Sequence, residues 1–134
     1  MARLSTFQSA KTLLRCLAAL FMAALLAGCT VKTDSISQAS VTQWQNGKLQ
    51  GEVKPLSPVA TAQFDAWLTD HRWGWLPVHG TFLPALTISL THTDGTVSTA
   101  NLRKDSLVIG DYQLRLADAE YEYLRNLLSS PENR

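Results

Sequence analysis

The stretch ALTISLTHTDGTVSTANLRKDSLVIGDYQLRL, residues 85–116, decides the fold class of this chain. After Pro84, Leu86, Ile88 and Leu90 alternate with Thr87, Ser89 and Thr91. A period of two puts the apolar set on one face of a strand and the hydroxyl set on the other. Asp94-Gly95 then turns the chain back. A two-residue loop would oppose Ile88 to Asn101 and Leu90 to Thr99, which mixes the two faces. A three-residue loop, Thr93-Asp94-Gly95, opposes Leu86 to Leu102 and Ile88 to Ala100. A slip of one residue flips every side chain to the other face. The second register is therefore expected, with Gly95 at positive φ in the bulge. Leu107, Ile109, Tyr112 and Leu114 repeat the logic around Gly110-Asp111, where a tight turn pairs Ile109 with Tyr112 and Leu107 with Leu114. The segment predicts a four-stranded antiparallel meander.

Helical patterns flank it. Ser57-Pro58 opens a helix, since serine caps and proline at the first helical position costs no hydrogen bond. Phe64, Trp67, Leu68 and His71 fall on one face of a helix expected over 58–71. Pro77 and Pro84 bracket a stretch that cannot be helix interior. At the other end Asp118 is expected to cap a last helix. Glu120 and Glu122 lie near its positive end and Arg125 near its negative end. Leu124, Leu127 and Leu128 form its apolar stripe, and Pro131 follows its stop.

Upstream, Asn46-Gly47 signals a two-residue hairpin turn. It sets Trp44 opposite Leu49 and Ser40 opposite Val53, with one partly apolar face, and Gly51 weakens the second strand. The expected fold class is α+β: an antiparallel four-stranded meander with helices packed on one face, plus an N-terminal hairpin. The outer face, rich in Thr, Ser and Asn, is expected to meet water.

The N-terminal region is of a different kind. Arg3, Lys11 and Arg15 precede an apolar run over residues 16–26, and Leu26-Ala27-Gly28-Cys29 follows directly. Basic region, short apolar region and small residues make an export signal. The run is well short of the ~20 residues that a membrane span needs. The final four residues resemble the lipobox of bacterial lipoproteins, a resemblance confined to residues 1–29. It implies that the Cys29 sulfur takes a diacylglyceryl group, that the signal is cut before Cys29, and that the new amino terminus is acylated. Together with the patterning of the remaining chain, this gives the expected domain plan: signal peptide over 1–28, lipidated tether over 29–39, and one small α+β domain over 40–134. A tether suits the polar run from Thr30 to Ala39, although Val31 and Ile36 could instead begin a strand. Thr30, rather than aspartate, follows the cysteine. By the same resemblance this favours the outer over the inner membrane, with the domain facing the periplasm. Residues 30–134 resemble no domain family.

The chain holds 12 basic and 11 acidic residues. Loss of the signal removes three basic residues and makes the balance slightly acidic. That argues against nucleic acid, which is met by a basic stripe, and against electrostatic docking on anionic lipid. With Cys16 removed and Cys29 lipidated, no disulfide is expected. The expected partners are the bilayer, through acylated Cys29, and an envelope protein.

Catalytic signatures are sparse. There is no Gly-x-Ser-x-Gly elbow. Neighbours on a helix such as Asp70 and His71 point about 100° apart. His71, His79 and His92 lack metal-ligand spacing, and nothing supports a phosphate cradle, so neither metal nor cofactor is expected. Trp73-Gly74-Trp75 stands out. Both indoles could seal the core, both could form an exposed platform, or one could do each. Tryptophan is enriched at binding hot spots, which makes Trp73 and Trp75 the candidate partner-binding residues. The expected function is a non-enzymatic binding or accessory module. The alternative is a small periplasmic hydrolase using a histidine–carboxylate pair.

Overall fold

A computed structural model describes residues 11–19 and 35–130. The chain divides into two compact units, Met1–Thr30 and Val31–Arg134. Within the first, residues 11–19 are helical (α1). No helix among the described residues is long and apolar enough to cross a membrane. The lipobox, most of the tether and Pro131 lie outside the described residues.

The second unit is an α+β domain built on one antiparallel sheet. Its elements are β1 (Ile36–Gln45), β2 (Lys48–Pro55), α2 (Pro58–Asp70), β3 (Leu76–Pro77), β4 (Leu86–His92), β5 (Val97–Leu102), β6 (Ser106–Ile109), β7 (Tyr112–Arg115) and α3 (Asp118–Ser129). The strands lie in the order β2-β1-β4-β5-β6-β7-β3. The meander expected over 85–116 is present as β4 to β7. Leu86 pairs with Leu102 and Ile88 with Ala100. Leu107 pairs with Leu114 and Ile109 with Tyr112. Gly95, at φ +85, closes the first turn, and its N–H reaches the His92 carbonyl at 3.0 Å.

The sheet is larger than four strands. The hairpin β1-β2 joins it through β1, which pairs with β4 so that Val41 meets Ile88 and Ala39 meets Leu90. This pairing joins residues separated by the whole of α2, so no local period reveals it. It also corrects the expected packed face of the hairpin. Ala39 and Val41 are buried, whereas Trp44 and Leu49 stay on the exposed side. The pair Trp44–Leu49 forms as expected, but Ser40 pairs with Pro55 rather than Val53. The register shifts between Val41 and Gln43, alongside Gly51 at φ +73 in β2. Extra residues in β2 form a bulge there, a conformation glycine adopts without the Cβ penalty. Strand β1 also starts at Ile36, inside the stretch read as tether. Ile36 is buried, and its N–H donates to Asp65 Oδ1 at 3.2 Å. The opposite edge strand, β3, is too short to show a period. Its Pro77 is tolerated because an edge strand has one side without ladder bonds.

Helix α2 starts as expected: Ser57 Oγ accepts the Ala60 N–H at 3.1 Å. It ends at Asp70, with His71 as its C-cap. Its Phe64, Trp67 and Leu68 are buried together with Leu124, Leu127 and Leu128 of α3 against the Leu86/Ile88/Leu90 face. Each such side chain contributes roughly 1.5–3 kcal/mol when fully buried. Asp118 is not the cap of α3. Ala117 holds that position, and Glu120 Oε2 accepts its backbone N–H at 2.9 Å. An alanine has no side-chain acceptor, so only the returning half of a capping box is made.

Candidate functional site

The Trp73-Gly74-Trp75 segment follows directly on the end of α2. The His71 N–H donates to the carbonyls of Trp67 and Leu68, a shared bond that closes the last turn of the helix. Trp75 then turns inward and is fully buried. Its Nε1–H donates to the His71 carbonyl at 2.7 Å, so a buried indole has its polar handle satisfied. Gly74 sits at φ +89 between the two indoles. Trp73 faces solvent, 56% exposed. The two tryptophans therefore have opposite roles. Trp75, expected as a candidate contact residue, is instead sealed inside the core, where no partner reaches it. Trp73 is presented on a backbone that Trp75 pins.

His71 is the best-connected histidine. Its ring stacks on Trp67, with centroids 4.0 Å apart and planes 16° apart. Its Nδ1 lies 2.8 Å from the Trp67 carbonyl oxygen. Its Nε2 lies 3.2 Å from Glu120 Oε1. Both ring nitrogens thus face acceptors. A neutral imidazole has one N–H and satisfies one of them; the protonated ring satisfies both. The carboxylate partner is Glu120 of α3, not the sequence neighbour Asp70. Glu120 joins two tasks, since one oxygen caps α3 and the other ties α3 to the end of α2.

Glu120→Ala is expected to lower stability by about 1–2 kcal/mol. The lost cap contributes about 1 kcal/mol. The contact with His71 Nε2, with side chains 32% and 36% exposed, adds only ~0–1 kcal/mol because water competes for both groups. Glu120→Gln should lose less than half as much. Its amide oxygen can still accept the Ala117 N–H, and its NH₂ can donate to a neutral Nε2. Urea midpoints of the two variants check this. Equal losses would show that charge, not hydrogen bonding, joins the helices.

The other histidines lie elsewhere. His79 is exposed in the connection between β3 and β4. His92 ends β4, with Nε2 2.6 Å from Ser98 Oγ. Among the described residues, no group of three His, Cys, Asp or Glu side chains comes together in a way that could hold a metal ion.

Two surface clefts among the described residues bear on binding. One, of about 420 Å³, opens beside Leu83, Arg103 and Asp105. Its Arg103 is already engaged, with Nε 3.6 Å from Asp105 Oδ1 and its guanidinium 5.1 Å from the Phe82 ring centre. The other, of about 410 Å³, runs beside the start of β1 and the first turn of α2. Hydroxyl side chains line much of it. The Ser/Thr half of the alternation in β4 was the only sequence signal for it, and that pattern equally describes a strand face that merely meets water. No family model matches the chain, and no curated protein or solved structure matches it either.

Proposed function

We propose that this chain is a membrane-anchored envelope lipoprotein whose folded domain is a non-enzymatic binding or accessory module facing the periplasm. The anchor rests on Leu26-Ala27-Gly28-Cys29 behind a short apolar run. Thr30 after the cysteine favours the outer membrane. One observation carries the binding half: Trp73 is 56% exposed while Trp75, two residues on, is fully buried. Exposing a large indole forgoes the burial that Trp75 obtains. Holding it on a pinned turn lowers the ordering cost of a contact, and tryptophan is among the residues that dominate binding energy. An envelope protein is the proposed partner.

Trp73→Ala tests the reading. Surface substitutions of this kind usually change stability by no more than ~0.5 kcal/mol, so the variant should fold normally. It should nevertheless fail to complement whatever phenotype deletion of the gene produces. Full complementation by Trp73→Ala, with loss in a well-folded variant of His71, His79 or His92, would replace the binding module with the histidine-based hydrolase.

A further inference from the structure

The cleft beside β1 has a composition that selects its ligand. Its polar lining is Ser37, Gln38, Ser40, Thr61, Ser89 and Thr91, and among the described residues no charged side chain lines it. Ser40 and Ser89 are cross-strand partners, as are Gln38 and Thr91. The four form a compact array across β1 and β4, since directly opposed residues lie ≈ 4.5–5.5 Å apart at Cβ. The rest of the wall is apolar, chiefly Pro55, Leu56 and Pro58.

Thr61 extends this polar wall. It is only 4% exposed, and it lines the cleft from the first turn of α2. A threonine hydroxyl both donates and accepts, so it adds a second direction of hydrogen bonding beside the β1–β4 array.

We infer that this cleft binds a neutral saccharide. Hydroxyl and amide side chains both donate and accept, as sugar hydroxyls do. The proline and leucine surfaces offer an apolar wall to the C–H face of a sugar ring. An anionic or cationic ligand would call for a charged partner, which the lining lacks among the described residues. A purely apolar ligand would strip water from six polar side chains without replacing their hydrogen bonds, which is unfavourable. An extended peptide adding to β1 is disfavoured as well. The Ala39 carbonyl already accepts the Leu56 N–H at 2.9 Å, and the Ile36 N–H is already held by Asp65. The cleft volume of about 410 Å³ falls within the ~300–1,000 Å³ of small-molecule sites. This site rests on the binding-module reading but uses neither Cys29 nor Trp73.

Saturation-transfer NMR on the full-length protein in a sugar-free zwitterionic detergent tests it. The probes are the trimer of N-acetylglucosamine, maltotriose and, as a neutral peptide, hexaglycine. At least one saccharide should receive saturation on its ring protons, with a dissociation constant on the order of 1 mM. Thr61→Val and Ser89→Ala should each weaken that binding about tenfold. Circular dichroism identifies any variant that fails to fold, and the remaining one then decides. The inference is overturned if neither saccharide binds, if hexaglycine binds in their place, or if folded Thr61→Val and Ser89→Ala bind as well as wild type. None of those results touches the anchored-module reading, which stands or falls on Cys29 and Trp73.

Discussion

Trp75→Ala is expected to cost about 3–5 kcal/mol, the range for removing a large aromatic from a packed core. The reason is specific to its place. Trp75 is fully buried, it belongs to the same core cluster as Phe64, Leu68 and Leu114, and its Nε1–H satisfies the His71 carbonyl. Truncation opens a cavity and also removes the partner of that carbonyl. For a domain of this size, with total stability of ~5–15 kcal/mol, such a loss is roughly a fifth or more of the whole. Trp75→Phe separates the two contributions. It keeps most of the ring but leaves the carbonyl without its donor, an effect of about 1–3 kcal/mol. Denaturant midpoints of the full-length protein and both variants, compared at equal m-value, give the answer. Trp73→Ala is the internal control, two positions away and expected to be near neutral. A Trp75→Ala midpoint close to wild type would mean that the indole does not fill the core and that the ends of α2 and β3 are placed wrongly.

This contrast between neighbours marks the limit of what the residues alone reveal. Both indoles in Trp73-Gly74-Trp75 have the same hydropathy, and no local rule distinguishes them. What decides is the C-cap at His71, which sets the direction of the following turn so that Trp75 points inward. The meander, by contrast, was legible down to its register. Leu86, Ile88 and Leu90 must all face one way, and one loop length at Asp94-Gly95 allows it. The α2 start was legible for the same reason, because Ser57-Pro58 acts on backbone groups within one turn. Residues that depend on distant partners were not. Ile36 begins β1 only because His92 and Asp65 receive it, and neither is near it in sequence. The bulge beside Gly51 shifts Ser40 from Val53 to Pro55; a glycine in a strand announces irregularity without giving its size. Glu120 was read as a favourable charge at a helix start. Its second role, holding His71, requires two helices to be packed first. The cleft beside β1 was least legible, because Ser40, Thr61 and Ser89 become one wall only after β1, β4 and α2 assemble.

Cys29→Ser is expected to abolish membrane attachment through lipid. Its motivation is the order of Arg15, the apolar run and Leu26-Ala27-Gly28-Cys29, and its effect should be close to all-or-none. A serine hydroxyl lacks the nucleophilicity of a thiolate, so no thioether-linked diacylglyceryl group can form. By resemblance to bacterial lipoproteins, cleavage before residue 29 should then fail too, and uncleaved precursor should accumulate. Labelling with a radioactive fatty acid should fall to background. The wild-type protein should remain in the membrane fraction after a high-salt wash. Salt screens charge interactions within a Debye length of a few ångströms at ~1 M, but it does not weaken acyl burial. A single acyl chain would hold only marginally, whereas two or more hold firmly, so salt resistance reports the multiply acylated form that the resemblance implies. Cleavage before Cys29 would leave a slightly acidic chain, whose net charge does not favour binding to anionic lipid. Intact-mass spectrometry of the wild-type mature protein is the decisive measurement. A first residue of Cys29 carrying the mass of a diacylglyceryl group is the expected result. A mature protein with unmodified Cys29, or one beginning elsewhere, would remove the anchor and with it the envelope placement of the domain.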